Sequence, residues 1–516
     1  MNPSPLPALP LDAEPAPMPG ALLRLQPAQG SRVFPSWRAS LDWREPYLIP
    51  LVLLLLTRAI LAHLLPLASE DAYITYRFAR NLALGYGPVF NPGERVMGFT
   101  SPLWTFWNAL GWMLTRDPAA WSRGWTLCGD AATLVVAGSM LARHVSRASA
   151  WCFTFAFATW TAFTGIAISG MENSMMITLL LLSGSLAECG SPATGPVLAL
   201  LALIRPEGLA AAVILSLRAR WRDRGVALLL VAAAVIGLAW YFGSPLPQSM
   251  IAKAQIYGAP GPWAGRHWWE WTIPFSLGRW PAMPDARFLF LLTVLAAPAA
   301  FSGIKVLWQV RRTGLAFSIA ALLGIWLAYS ITGVTYFFWY LMVPLTAWFL
   351  LAAMGLPRIV RGATVYVSAA LLILGSWTVV WELYAGRAHA ENDFAQVATY
   401  LEQHSTPWQK VLLEPIGLIG YRVKLRVLDE VGLVSPRIAK RRTQGPGWMT
   451  DVIAAEQPEW LVLRRGVVAQ MEAFAGVGAP FRNKGERTAL LSRYGVETIV
   501  DEAAGDAALV VLRRHP

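Results

Sequence analysis

Residues Ser69–Trp104 read SEDAYITYRFARNLALGYGPVFNPGERVMGFTSPLW, and an apolar run over about residues 47–67 stands directly before them. That run is long enough to cross a bilayer as a helix. Two adjacent carboxylates, Glu70 and Asp71, therefore lie where the chain has just left a membrane. With Ser69 as a cap, they fall in the first turn of a helix, where the dipole favours anions. Glu70, Ile74, Arg77 and Asn81 share one face at helical spacing. Gly85-Tyr-Gly ends that helix and Asn91-Pro-Gly makes a turn. The dipole is a sufficient local cause for the acids; a positioned general base with cationic neighbours is the other reading.

The rest of the chain agrees with a membrane setting. Of 516 residues, 55% are hydrophobic and 14% charged, and the mean hydropathy is +0.45. Soluble proteins carry about 25% charged residues. Further apolar segments run near residues 101–115, 124–142, 150–168, 173–187, 196–217, 225–242, 286–308, 315–332, 335–356 and 363–384. The expected fold is mainly α, a polytopic protein of about 11 spans, with outer loops at 68–100 and 243–285. The second loop holds five Trp, as suits a membrane interface. The formal charge of +12 fits cytoplasmic-loop bias and contact with anionic membrane lipids, not nucleic acid.

Residues 1–45 are expected to be a disordered cytoplasmic N-terminus. Residues 2–30 are Pro- and Ala-rich without a signal-peptide core, and Arg24, Arg32, Arg38 and Arg44 precede the first span. Strict alternation of spans then puts Ala142–Ser149, ARHVSRAS, outside, against its positive charge. Either a segment between 101 and 142 does not cross, or a later one is re-entrant. LALIRPEGLAAAVIL is a candidate for the latter, because Arg205, Pro206 and Glu207 interrupt its apolar run.

After the transmembrane domain, 46–386, the composition becomes mixed. ENDFAQVATYLEQH reads as an amphipathic helix, and KVLLE, LRVLD, EWLVLRR and ALVVLRR as buried strands. Residues 387–516 are expected to form a soluble α/β domain on the side of the first loop.

Glu172, between two apolar segments, is a loop acid or a carboxylate facing a cavity; acids at membrane depth are functional candidates. Arg205 and Glu207 pair to stabilise a broken helix or meet a lipid phosphate. Lys253 snorkels to the interface or binds phosphate as a point charge. The three cysteines and six histidines show no metal-ligand spacing, so no metal site is expected, with a divalent cation held jointly by carboxylates and phosphate left open. There is no Walker or Rossmann glycine pattern to cradle a nucleotide.

The first-loop stretch, SGMENSM, LIRPEGL, YFGSPLPQSMIAKAQ and GLIGYRVKLRVLDEVGLVSP together resemble the GT-C membrane glycosyltransferases that use polyprenyl-phosphate sugars. The resemblance is nearest to the mycobacterial terminal arabinofuranosyltransferases. It implies inverting transfer of a sugar, arabinofuranose for example, from a polyprenyl phosphate to a glycan, glycolipid or protein acceptor. The setting implied is the periplasmic face of a bacterial inner membrane. Glu70 or Asp71 would be the base. Arg77, Arg205 and Lys253, with Glu172 and Glu207, would serve the donor. Tyr336, Trp339 and Tyr340 would contact substrate. The chain departs from the family in having Glu70-Asp71 where two aspartates are usual, and TGVTYFFWYLMVP without the usual Asp and Arg. A lipid or solute transporter or flippase is the competing reading. It calls for paired repeats, and only one broken segment is evident.

Overall fold

The computed structural model describes residues 46–257, 284–332, 337–360, 362, 388–469 and 478–516. The expectations for residues 1–45, for the Trp-rich part of the second loop, for the 363–384 segment and for Tyr336 lie outside the described residues. Among the described residues, four helices are long and apolar enough to cross a membrane: Pro118–His144, Trp221–Phe242, Gly314–Thr332 and Trp339–Ile359. Shorter apolar helices include Leu48–Leu64, Thr194–Ile204 and Pro206–Ser216.

Hydrogen bonds fix which helix ends share a level. Helix α1, Leu48–Leu64, ends where Arg123 donates to the carbonyls of Leu65 at 2.9 Å and Pro66 at 2.7 Å. After α2 (Glu70–Ala83) and α3 (Pro102–Thr115), Arg123 lies near the start of α4, Pro118–His144. Tyr47, before α1, accepts from Ser139 near the far end of α4 at 3.2 Å. The two helices are thus antiparallel over their whole length. The 14-residue α3, about 21 Å long, begins and ends on one side and packs on α2 and α4. This corrects the expected span at 101–115 and returns ARHVSRAS to the side on which α1 begins. Asp117 caps α4 by accepting from the Ala119 and Ala120 amides at 3.0 Å, with Pro118 as first helical residue.

Helices α5 (Arg147–Thr159) and α6 (Thr161–Ala167) are one apolar path broken at Trp160, whose backbone is extended. The break frees carbonyls at membrane depth, and Arg58 of α1 takes them. Its guanidinium donates to Phe157 O at 3.1 Å and to Thr164 Oγ1 at 3.0 Å, and it pairs with Asp130 of α4 at 2.8 Å. Irregular backbone survives there because protein groups satisfy it.

After α7 (Asn173–Glu188), α8 (Thr194–Ile204) and α9 (Pro206–Ser216) form a tight hairpin with Arg205 at its apex. A Cβ on Gly208 would sit 2.0 Å from Leu201 O, so only glycine lets the two helices close. The start of α8 touches the start of α10, Trp221–Phe242, at Gly195 and Asp223. The segment 196–217 therefore turns back on itself and is a second correction to the span count. Helix α11 covers Gln248–Tyr257. Helices α12 (Pro284–Gln309) and α14 (Met342–Ile359) flank α13 (Gly314–Thr332) in sequence. They cross at Gly303 and Gly355, where an added Cβ would lie 1.9 Å from Leu351 O and Ala299 O. This is the small-residue contact membrane helices use.

The C-terminal part is helical through residues 388–404 and then builds a five-stranded sheet in the order β2-β1-β3-β5-β4. Strands β1 (Lys410–Leu413), β2 (Arg426–Asp429) and β3 (Trp460–Arg464) are parallel; β5 (Leu509–Arg514) runs antiparallel to β3 and β4 (Tyr494–Val500). One face packs Leu412, Leu428, Leu461 and Leu463 against Trp448, Met449 and Phe481. The other packs Val411, Val427, Trp460 and Val462 against Val397 and Leu401, and also against Phe78, Phe90 and Phe99 of the first outer loop.

That shared core is pinned by polar contacts. Arg77 is 2% exposed and donates to Phe90 O and Leu425 O, each at 2.8 Å, to Asn91 Oδ1 at 3.2 Å and to Gly420 O. The Asn91 side-chain amide pairs with edge strand β2, accepting from Val427 N at 3.1 Å and donating to Val427 O at 2.9 Å. It thus occupies backbone groups that an edge strand leaves open. At the start of α11, the Gln248 amide reaches Met97 O at 2.8 Å and its side chain reaches Gly432 O at 3.1 Å.

Candidate active site

Helix α2 begins at Glu70, but the Ser69 hydroxyl makes no capping bond; Ser69 is held through its amide, which donates to Ser169 O at 2.8 Å. The face carrying Ile74, Arg77 and Asn81 is buried against the C-terminal sheet region, so its periodicity records docking. Arg77 belongs to that docking. Its bonds end on the carbonyls of Phe90, Gly420 and Leu425 and on Asn91, so protein oxygens take up the donors that the resemblance assigned to the sugar donor.

The first turn of α2 faces two ways. The Glu70 carboxylate looks to the C-terminal domain and accepts the Gly417 N–H. Burial pushes its carboxyl well above the usual range, Asp71 adds to this, and the Gly417 bond opposes it. Asp71 is half-buried and makes no hydrogen bond or ion pair among the described residues. Burial raises its carboxyl too; Lys253 pulls it down, Glu414 and Glu172 push it up, and Arg205 pulls it down. Asp71 therefore stands within electrostatic reach of Lys253, Glu172 and Arg205, three of the residues the sequence singled out on the membrane side.

There the charges are organised around Arg205. It pairs with Glu172 at 2.6 Å and with both oxygens of Glu207 at 3.0 and 3.2 Å. Ser101 donates to Glu172 at 2.6 Å and Tyr329 to Glu207 at 2.7 Å. The Arg205 guanidinium lies over the Tyr340 ring, 5.3 Å from its centre, and Tyr340 leans on Tyr329. One cation against two acids leaves this buried group with net charge −1. Lys253, on α11, lies 5.2 Å from the Phe337 ring centre and makes no ion pair among the described residues. Among the described residues, Lys253 is thus a cation with charge to offer. Trp339 is buried, stacks on Phe337 at 4.7 Å, and its carbonyl accepts from Asn173 at 3.0 Å.

Across from α2 stand the carboxyl ends of the parallel strands, the usual ligand side of such sheets. Glu414 follows β1 and pairs with Arg464 of β3 at 3.0 Å. Glu430 follows β2; burial and then Glu414 push it up to about 8. Asp429 is pushed up to about 6 by burial, although the Val431 and Val434 amides donate to it. Sequence reading missed Ser101, Tyr329 and Glu414; only the position of Glu414 at the end of a predicted buried strand signalled a site.

Gly417 is a steric requirement, because an added Cβ would lie 1.9 Å from Glu70 O and 2.6 Å from its carboxylate. Gly417→Ala should displace the α2 start. A loss of tenfold or more in activity, about 1.4 kcal/mol in the barrier, is expected at unchanged membrane content. Wild-type rates in that variant would mean α2 yields without consequence.

Several comparisons place this architecture. A family described as a domain of unknown function, DUF8728, matches residues 381–505. A terminal beta-(1->2)-arabinofuranosyltransferase of Mycobacterium tuberculosis is 28% identical over 36% of this chain and 34% of its own length. The chain thus spans about a third of that curated relative. Among solved structures, ArnT from Cupriavidus metallidurans bound to undecaprenyl phosphate has a TM-score of 0.55 at 12% identity, covering 90% of this chain and 97% of that one. The Archaeoglobus fulgidus oligosaccharyltransferase has a TM-score of 0.51 at 10% identity, covering 90% of this chain and 74% of that one. These likenesses do not favour the transporter reading. In fold the chain is similar to these membrane enzymes, and part of its sequence is similar to the mycobacterial arabinofuranosyltransferase.

Proposed function

We propose that the protein is an inverting glycosyltransferase that moves a sugar from a polyprenyl-phosphate donor to a hydroxyl of a cell-envelope glycan, glycolipid or protein acceptor. Its site opens on the periplasmic side of the inner membrane, where the first loop and the C-terminal domain meet. The observation that carries this reading is the Asp71 carboxylate, without an ion pair among the described residues, in the field of Lys253 and of Glu414 at a strand end of the C-terminal domain. The sequence left Glu70 and Asp71 undivided; the Gly417 bond supports a structural part for Glu70.

In this mechanism Asp71 takes the acceptor hydroxyl proton as the oxygen attacks the anomeric carbon. The bond from that carbon to the phosphate oxygen breaks on the opposite face, and the phosphate keeps the electron pair. Lys253 meets the charge that grows there. Arg205 holds the wall of the site with Glu172, Glu207 and Tyr340. Arabinofuranose is the proposed sugar, on the resemblance to the mycobacterial enzymes.

The test is transfer from decaprenylphosphoryl arabinose to a synthetic octyl di-arabinofuranoside in membranes, followed by the anomeric configuration of the product. A retained configuration, or flux of the lipid without transfer, would overturn the proposal. The pH profile is a further expectation. A base must be ionised, so activity is lost as pH falls through its raised pKa. The acid limb should therefore lie above the ordinary aspartate value of about 4. Lys253→Met removes the largest opposing charge and should move that limb upward while raising the KM for donor. An unmoved limb would place Lys253 outside the field of the base.

A further inference from the structure

Away from the proposed active site, three metal-ligand side chains converge from two elements. His389 and Asp393 stand one turn apart in the helix through 388–404, and Asp501 follows β4. His389 Nε2 lies 3.0 Å from Asp501 Oδ2 and 3.9 Å from Asp393 Oδ2, and one ligand atom from each residue falls within 4.8 Å of the others. Neighbouring ligand atoms on an ion with bonds of about 2.0–2.2 Å stand roughly 3–3.5 Å apart. Small side-chain adjustments bring this trio to that spacing. We propose that His389, Asp393 and Asp501 form a divalent-cation site of the zinc-binding class.

The donor set decides the class. An imidazole with two carboxylates suits zinc, whereas calcium and magnesium take oxygen shells. Two carboxylates balance the charge of a divalent ion. Both are largely withdrawn from water, at 13% and 14% side-chain exposure, while the imidazole is 65% exposed and leaves room for a water ligand. The helical spacing of His389 and Asp393 puts both on one face, as in metal-binding helices. The bound ion would tie the first helix of the C-terminal domain to the β4 end of its sheet. The opposed reading is an imidazolium bridging two aspartates with no ion.

The test uses the full chain in detergent, stripped with chelator and titrated calorimetrically with zinc chloride. One saturable site per chain is expected. Asp501→Asn and Asp393→Asn should each weaken it by about tenfold or more, as even outer-shell changes do. The thermal midpoint should rise with zinc in the wild type and not in Asp501→Asn. His389→Gln, at an exposed position, should fold normally and also lose affinity. No saturable binding in the stripped wild type overturns the proposal, as does equal affinity in the aspartate variants.

Discussion

Asp71→Asn is expected to cut sugar transfer by about a thousandfold, within the 10²–10⁴ range set by a lost general base. Asparagine keeps the volume and cannot accept the proton. The native carboxylate makes no hydrogen bond or ion pair among the described residues, so the change breaks no contact. Stability should stay within about 0.5 kcal/mol of the parent. Glu70→Gln should behave otherwise. Its amide oxygen still accepts the Gly417 N–H, and a loss nearer tenfold is expected, on the scale of about 1.4 kcal/mol. Transfer measured in membranes with quantified protein separates the two. If Glu70→Gln abolishes transfer while Asp71→Asn keeps it, the roles are exchanged.

The second large effect falls on stability. Arg205→Met leaves Glu172 and Glu207 buried without their cation, and breaking such a pair costs about 3–5 kcal/mol. A marked fall in the thermal midpoint of detergent-purified protein is expected. Adding Glu172→Gln and Glu207→Gln removes the stranded charges and should restore part of that midpoint without restoring transfer. An unchanged midpoint in Arg205→Met would mean that water reaches these acids freely. Arg205→Lys should fall between, since one ammonium cannot reproduce the fork that reaches both oxygens of Glu207.

Much of this arrangement was legible in the chain. The run before Ser69, the helix after it and strands β1, β2, β3 and β5 all stand where periodicity placed them, because each buries a continuous apolar set. Strand β4 escaped notice: YGVETIV leaves much of its length partly exposed and carries a register shift between Val496 and Thr498. Span counting failed at α3 and at the α8–α9 hairpin, since hydropathy registers apolar surroundings and not direction. Contacts decide direction: Arg123 and Ser139 set α4 against α1, and Gly208 and Gly195 close the hairpin and seat it on α10. The docking bonds of Arg77 were hidden for a related reason. A buried arginine looks the same in sequence whether it meets a phosphate or four protein oxygens. The Arg58–Asp130 pair had no signature, its purpose being set by a helix break about 100 residues away in the chain.

The three phenylalanines of the first loop have a consequence for modularity. Residues 381–505 match a sequence family of their own, yet their sheet takes in β5 beyond that boundary, Phe78, Phe90 and Phe99 pack on one of its faces, and Asn91 pairs with its β2 edge. A fragment cut at that boundary would carry an open apolar floor and an unpaired strand, the two features that drive soluble fragments to aggregate. The unit that sequence inheritance has kept together is therefore smaller than the unit that folds. Grafting this C-terminal part onto another membrane scaffold would require the loop between the first two helices of the bundle to travel with it.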